Sequence, residues 1–142
     1  KITIPYLSKN ILWPKQPLSD SLKKNINNAS VVTQLVYNNA EFLLTGDINK
    51  SVEDKLSEIW QNSLESDILK AGHHGSKNSN SQNFIQKVNP EISVISAGVD
   101  NSYGHPHQDT LDRFKQTLIY RTDKHGDIRM ITNGFELNVE RD

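Results

Sequence analysis

The sequence predicts an α/β layer, and three observations carry that expectation. Between Ala40 and Ala97 the apolar segments alternate as strand, helix, strand, helix, strand. A hairpin-like pair of apolar runs around Asn38-Asn39 precedes this alternation. Each strand of the alternation then ends in a polar stretch with ligand-type side chains: Gly46-Asp47, Gly72-His73-His74, and Gly98 to His107. In layered α/β proteins that edge is where sites assemble.

In chain order, Ile2 to Ile4 and Ile11 to Trp13 are short extended segments, closed by Pro5 and Pro14. Residues 1 to 30 are expected to be an irregular N-terminal segment with short strands, and 14 to 30 a polar loop. Val31 to Tyr37 and Ala40 to Thr45 flank Asn38-Asn39, and asparagine tolerates the positive φ of a tight hairpin turn. In the second of these strands both alternating sets are largely apolar, Phe42 with Leu44 and Leu43 with Thr45, which predicts a central strand covered on both faces. Ser51 is expected to open a helix, with Asp54 completing a capping box and Val52, Leu56, Ile59 and Trp60 forming the buried stripe.

The strand Asp67 to Ala71 follows, then a helix that starts among Ser79 to Ser81, carries Phe84, Ile85 and Val88, and stops before Pro90. Ile92 to Ala97 is the next buried strand. Asp109 is expected to start a helix buried through Leu111, Phe114 and Leu118, and Leu118 to Tyr120 a short strand. Asn133-Gly134 joins Ile128 to Thr132 to a half-exposed edge strand that alternates Phe135, Leu137 and Val139 with Glu136, Asn138 and Glu140.

A chain of 142 residues with 35% apolar content and no repeat fits one domain over residues 1 to 142. A formal charge of -1 excludes a broad basic footprint, so a nucleic-acid contact must use a local patch or a metal. The absence of cysteine excludes disulfides and thiolate metal sites without choosing a compartment. No window is long enough for a membrane span and none resembles a signal peptide. With a strand-like segment at its very edge and no initial methionine, the chain reads as part of something longer.

A carboxylate placed directly after a buried strand, as Asp47 is, costs free energy unless a charge meets it, and a cation is the natural suspicion. If the extended path persists through His73-His74, only one imidazole can face a given site. His105 or His107 would supply a third segment. Carboxylate and imidazole together suit divalent Mn or Zn alike. Such an ion lowers the pKa of bound water to about 7, and two ions roughly 3.5 to 4 Å apart suit in-line displacement at phosphorus. The competing reading makes Asp47 a turn cap, His105 a rigid residue before Pro106, and His125 part of a solvated turn, which is how His125 is taken.

Asn28-Ala-Ser-Val-Val32, Phe42-Leu-Leu-Thr-Gly-Asp47, Asp67-Ile-Leu-Lys-Ala-Gly-His-His-Gly-Ser76, Tyr103-Gly-His-Pro106 and Tyr120-Arg-Thr-Asp123, in this order, resemble the metallo-β-lactamase-fold domain of ComEC-type competence proteins, which act in DNA internalisation. The resemblance covers the chain from about Ile11 onward. It implies an αββα sandwich with a metal site at the strand ends and hydrolysis of DNA phosphodiesters, removing the strand that is not imported. It implies that Asp47 is a bridging carboxylate, that His73 or His74 is a metal ligand, and that Tyr103, His105 and His107 form a rim at the substrate or leaving group. Asp47 and His105 are the catalytic candidates, and Ser76, Tyr103, His107 and Arg121 the substrate-binding ones.

One departure matters. Metallo-β-lactamase folds carry a His-x-His-x-Asp-His run in their first half, and none precedes Asp47. The near match His105-Pro-His-Gln-Asp109 ends in Thr110 and comes too late in the chain. The chain therefore resembles the C-terminal half of that domain, a mixed sheet with helices on one face, with the remaining N-terminal half, membrane-embedded segments and DNA as partners. An exposed sheet edge would also invite a second copy. Two other readings compete: a hydrolase of another phosphoester or a lactone on the same scaffold, and a metal-free module gripping single-stranded DNA through Lys70, Lys77, Arg113 and Arg121. The resemblance alone implies a place on the extracytoplasmic side of the cell membrane, within a larger membrane protein.

Overall fold

A computed structural model describes residues 5–142, so the strand expected at Ile2 to Ile4 lies outside the described residues. Among the described residues, six strands form one mixed sheet in sequential order: β1 (Leu7–Trp13), β2 (Val32–Tyr37), β3 (Ala40–Leu44), β4 (Ile68–Lys70), β5 (Ile92–Ile95) and β6 (Leu118–Arg121). β1, β2 and β3 pair antiparallel, and β3 through β6 pair parallel. The change of direction falls at β3 because a two-residue turn, with Asn38 at φ 51°, can only return the chain antiparallel, whereas the later strands are separated by helical crossovers.

Those crossovers are α2 (Lys50–Trp60), α3 (Gln82–Val88) and α4 (Gln108–Arg113). Their apolar residues Val52, Leu56, Phe84, Ile85 and Val88, with Phe114 just after α4, pack on Val32, Leu43, Leu69 and Ile95 to form the core. Leu43 and Leu69 are in register across β3 and β4, so these helices occupy one face of the sheet. On the other face Phe42 is half-buried and Leu44 exposed, which corrects the expectation of a strand covered on both sides. The reason lies in what reaches that face. A separate hairpin, β7 (Ile128–Thr132) with β8 (Leu137–Arg141), meets its far end, where Asn39 N–H donates to Gly134 C=O at 2.8 Å. There Phe135, Leu137, Ala40, Ile68 and Ile92 border a cavity of about 380 Å³.

Several element boundaries differ from the sequence reading. β1 starts at Leu7 rather than Ile11. The segment from 14 to 30 holds a short helix, α1 (Asp20–Lys23), and a 3₁₀ turn at Ile26–Ala29, tied down by Trp13 Nε1 donating to Asn28 C=O and Asn28 Nδ2 donating to Leu22 C=O. α2 is capped by Asn49, whose side chain accepts from Ser51 N–H, in place of a Ser51–Asp54 box. Its stripe excludes Ile59, which is exposed. Leu118 belongs to β6 and is exposed, and Phe135 sits in the β7–β8 turn. A last short helix, α5 (Thr122–His125), follows β6. Among the described residues no helix is long and apolar enough to cross a membrane.

Candidate metal centre at the strand ends

The C-terminal ends of β3, β4 and β5 place Asp47, His73, His74, His105, His107 and Tyr103 in one neighbourhood. Asp47 follows Gly46, whose φ of 57° turns the chain sharply out of β3. A Cβ at Gly46 would lie 2.8 Å from Ser30 Cβ, so only glycine lets the turn approach that residue. Ser30 Oγ then accepts the Asp47 N–H at 3.1 Å. The Asn28-Ala-Ser stretch thus braces the carboxylate from the N-terminal loop.

The histidine pair does not continue the strand. His73 and His74 both take left-handed backbone conformations, at φ 48° and 54°, so the chain curls rather than continuing extended. Non-glycine residues pay for this conformation and adopt it where surroundings enforce it. Here the enforcement is visible. Asn80 clamps Gly72 from both sides, accepting its N–H at 2.7 Å and donating to its C=O at 2.9 Å, and His73 N–H donates to Gly46 C=O at 3.1 Å. Asn80 is itself set by Glu53, a carboxylate 1% exposed on α2 that accepts the N–H groups of Asn80 and Ser81 at 2.5 and 2.8 Å. Burial raises the pKa of Glu53 against these hydrogen bonds, which favour its charged form.

The two rings have different roles. His74 Nδ1 lies 2.7 Å from Ser96 C=O, and a carbonyl only accepts, so Nδ1 carries the proton. Nε2 is left facing Asp47 Oδ1 at 3.7 Å. Holding the second ring N–H on a backbone carbonyl is the arrangement that orients metal-binding histidines. Two ligand atoms about 2.1 Å from one ion at a tetrahedral angle stand roughly 3.4 Å apart. The Asp47–His74 pair therefore fits one divalent ion with little adjustment. Among the described residues no group of three or more His, Cys, Asp or Glu side chains is gathered for a metal. His73 is turned elsewhere, with Nε2 3.4 Å from Asn27 Nδ2.

His105 stands between these groups, its ring centroid 5.7 Å from His73, 6.5 Å from His74 and 4.9 Å from His107. Burial, then the neighbouring imidazoles of His107, His73 and His74, hold its pKa below the ordinary histidine value, with Asp47 pulling the other way. His107 Nδ1 accepts from Lys77 N–H at 3.3 Å. Burial likewise pulls the Lys70 ammonium below its usual range, partly offset by Asp47.

Two candidates are engaged otherwise. Ser76 is buried, with its hydroxyl accepting from Asn78 N–H and its carbonyl accepting from Thr110 Oγ1. Arg121 makes a two-armed contact with Asp123 through Nε and Nη2, and holds the Asp123 carboxyl below its usual range. His125, taken as a solvated turn residue, accepts Arg121 N–H at 3.1 Å. Sequence reasoning missed Asn27, Ser30, Glu53, Asn80, Ser96 and Asn101. Ser30 alone carried a signal, through the Asn28-Ala-Ser stretch of the resemblance. The others act through backbone groups or across distant segments.

These features define an α/β layer with a carboxylate–imidazole pair at the C-terminal ends of its strands. No family model matches the chain. It is 38% identical to ComE operon protein 3 of Bacillus subtilis over 130 residues, 90% of this chain and 16% of that protein. It is 37% identical to competence protein ComA of Neisseria gonorrhoeae over 113 residues, 77% of this chain and 16% of that protein. It is also 34% identical to recombination protein 2 of Haemophilus influenzae over 101 residues, 69% of this chain and 12% of that protein. The chain belongs to the ComEC-type competence family and spans roughly a sixth or less of the length of these relatives.

Proposed function

We propose that this chain carries part of the metal site of a DNA-uptake protein, in a metallo-β-lactamase-like hydrolase domain that cleaves DNA phosphodiesters. The observation that carries the reading is the His74 ring, fixed by Ser96 C=O with its free nitrogen facing Asp47. Asp47 and His74 would hold a divalent Mn or Zn ion, and further donors, with a second ion, would come from the rest of the parent protein. Such an ion supplies a water of lowered pKa and charge to offset that developing on phosphate oxygens.

The chain's own residues supply positioning. The strained His73-His74 turn and the braced Asp47 set the ligand pair without reorganisation. His105, central among these rings, is placed to donate a hydrogen bond to the leaving oxygen, and Tyr103 and His107 flank it as a rim. The names of two relatives, a competence protein and a recombination protein, support DNA as the substrate class and a role in its uptake. The site then works outside the cytoplasmic membrane, next to membrane-embedded segments of the parent protein. The metal-free DNA grip is less well supported. Of Lys70, Lys77, Arg113 and Arg121 only Lys77 is solvent-exposed, while Arg113 donates to Ser79 C=O and Thr110 Oγ1 and Arg121 holds Asp123.

The test is Mn²⁺-dependent cleavage of DNA by the complete parent protein. Asp47→Ala and His74→Ala should each lower the rate by about 100-fold or more, since even residues behind metal ligands account for 10- to 100-fold. His125→Ala should leave it within about twofold. Undiminished cleavage by Asp47→Ala would sink the reading.

A further inference from the structure

Tyr103 stands out at the site because it is 77% exposed on a loop that is not slack. Asn101 closes that loop: its side chain donates to Gly98 C=O at 2.9 Å and to His105 C=O at 2.6 Å, and accepts His105 N–H at 2.9 Å. The inner face of the Tyr103 ring lies over His105, with centroids 5.8 Å apart and planes 21° from parallel. His105 is in turn 20° from parallel with His74. Three nearly parallel rings therefore run from the ligand pair to solvent, and the outer face of the last one is open.

We infer that Tyr103 is a stacking shelf for one nucleobase of single-stranded DNA, beside the Asp47–His74 pair. This rests on the DNA phosphodiesterase reading and adds what is recognised next to the bond. A flat, pre-set aromatic face takes a flat partner, and every base offers one whatever the sequence. Bases inside a duplex have both faces occupied, so the shelf selects an unpaired strand. Charge cannot carry the contact by itself, because the chain is at -1 overall and Arg113 and Arg121 are held by internal partners.

The test is equilibrium binding of this chain, in chelator, to oligo(dT), to an equally long backbone of abasic units, and to a duplex. The wild type should bind oligo(dT) about tenfold more tightly than the abasic strand. Tyr103→Phe should keep that preference and Tyr103→Ala should lose it, with abasic and duplex affinities unchanged. Because Tyr103 is exposed, neither change disturbs the core. Equal binding of the two single strands by the wild type, including no binding of either, overturns the inference, as does a preference that survives in Tyr103→Ala. Chelator removes any contribution of metal, so a base preference that persists beside undiminished cleavage by Asp47→Ala would sink the metal reading alone.

Discussion

The side chains that make the site are set by partners far away in sequence, and this is where single residues have the largest effects. His73 and His74 were legible as a pair at the end of a buried strand. Their left-handed conformation was not legible, because it depends on Asn80, Gly46 and Ser96 rather than on neighbours in the chain. Arg121 shows the opposite case. Its charge suggested a DNA contact, yet the guanidinium is held by Asp123, with the side chains 15% and 14% exposed. Asp123 has its pKa below the ordinary 3.8, chiefly through the Arg121 hydrogen bonds. The pair therefore contributes stability above about pH 3.8, which is lost as the pH falls through the lower folded-state value. Arg121→Ala should cost roughly 1–3 kcal/mol at pH 7 by urea unfolding and return the Asp123 carboxyl to the ordinary range in an NMR titration. A carboxyl that titrates at the same pH in both proteins would show that the ion pair does not form in solution.

At the scale of elements, the site is two loops locked together. Gly75, at φ 80°, accepts His107 N–H at 3.1 Å, and a Cβ there would stand 2.5 Å from Pro106 Cβ. Gly75→Ala should therefore destabilise the fold by about 1–3 kcal/mol, through backbone strain and the clash, and separate the His73-His74 turn from His105. Urea unfolding checks the first effect, and chemical shifts of the His105 ring check the second. An unchanged midpoint would mean that the loops are not docked this way. The helical crossovers were legible because period and register leave little choice, as Val52 with Leu56 and Phe84 with Val88 show. Ile59 failed because burial at a helix end depends on what lies beside it, and the cap moved to Asn49 because either polar residue could accept a first-turn N–H.

Over the whole molecule, one face of the sheet is closed by α2, α3 and α4, while Ile11, Leu44 and part of Phe42 remain in contact with solvent on the other. The alternation of strands and helices made the α/β layer readable. The apolar second face of β3 misled the reading, because a strand's composition shows that both sides are apolar without saying whether a segment covers each. The proposed metal site rests on the facing pair of Asp47 and His74. The most direct measurement of that pair is paramagnetic broadening by Mn²⁺ in NMR spectra of this chain, which detects weak binding through few ligands. Dilute Mn²⁺ should broaden the Asp47 and His74 signals well before those of His125, and Asp47→Ala should abolish the selectivity. Uniform broadening, or the same pattern in Asp47→Ala, would contradict a metal site built on these two residues.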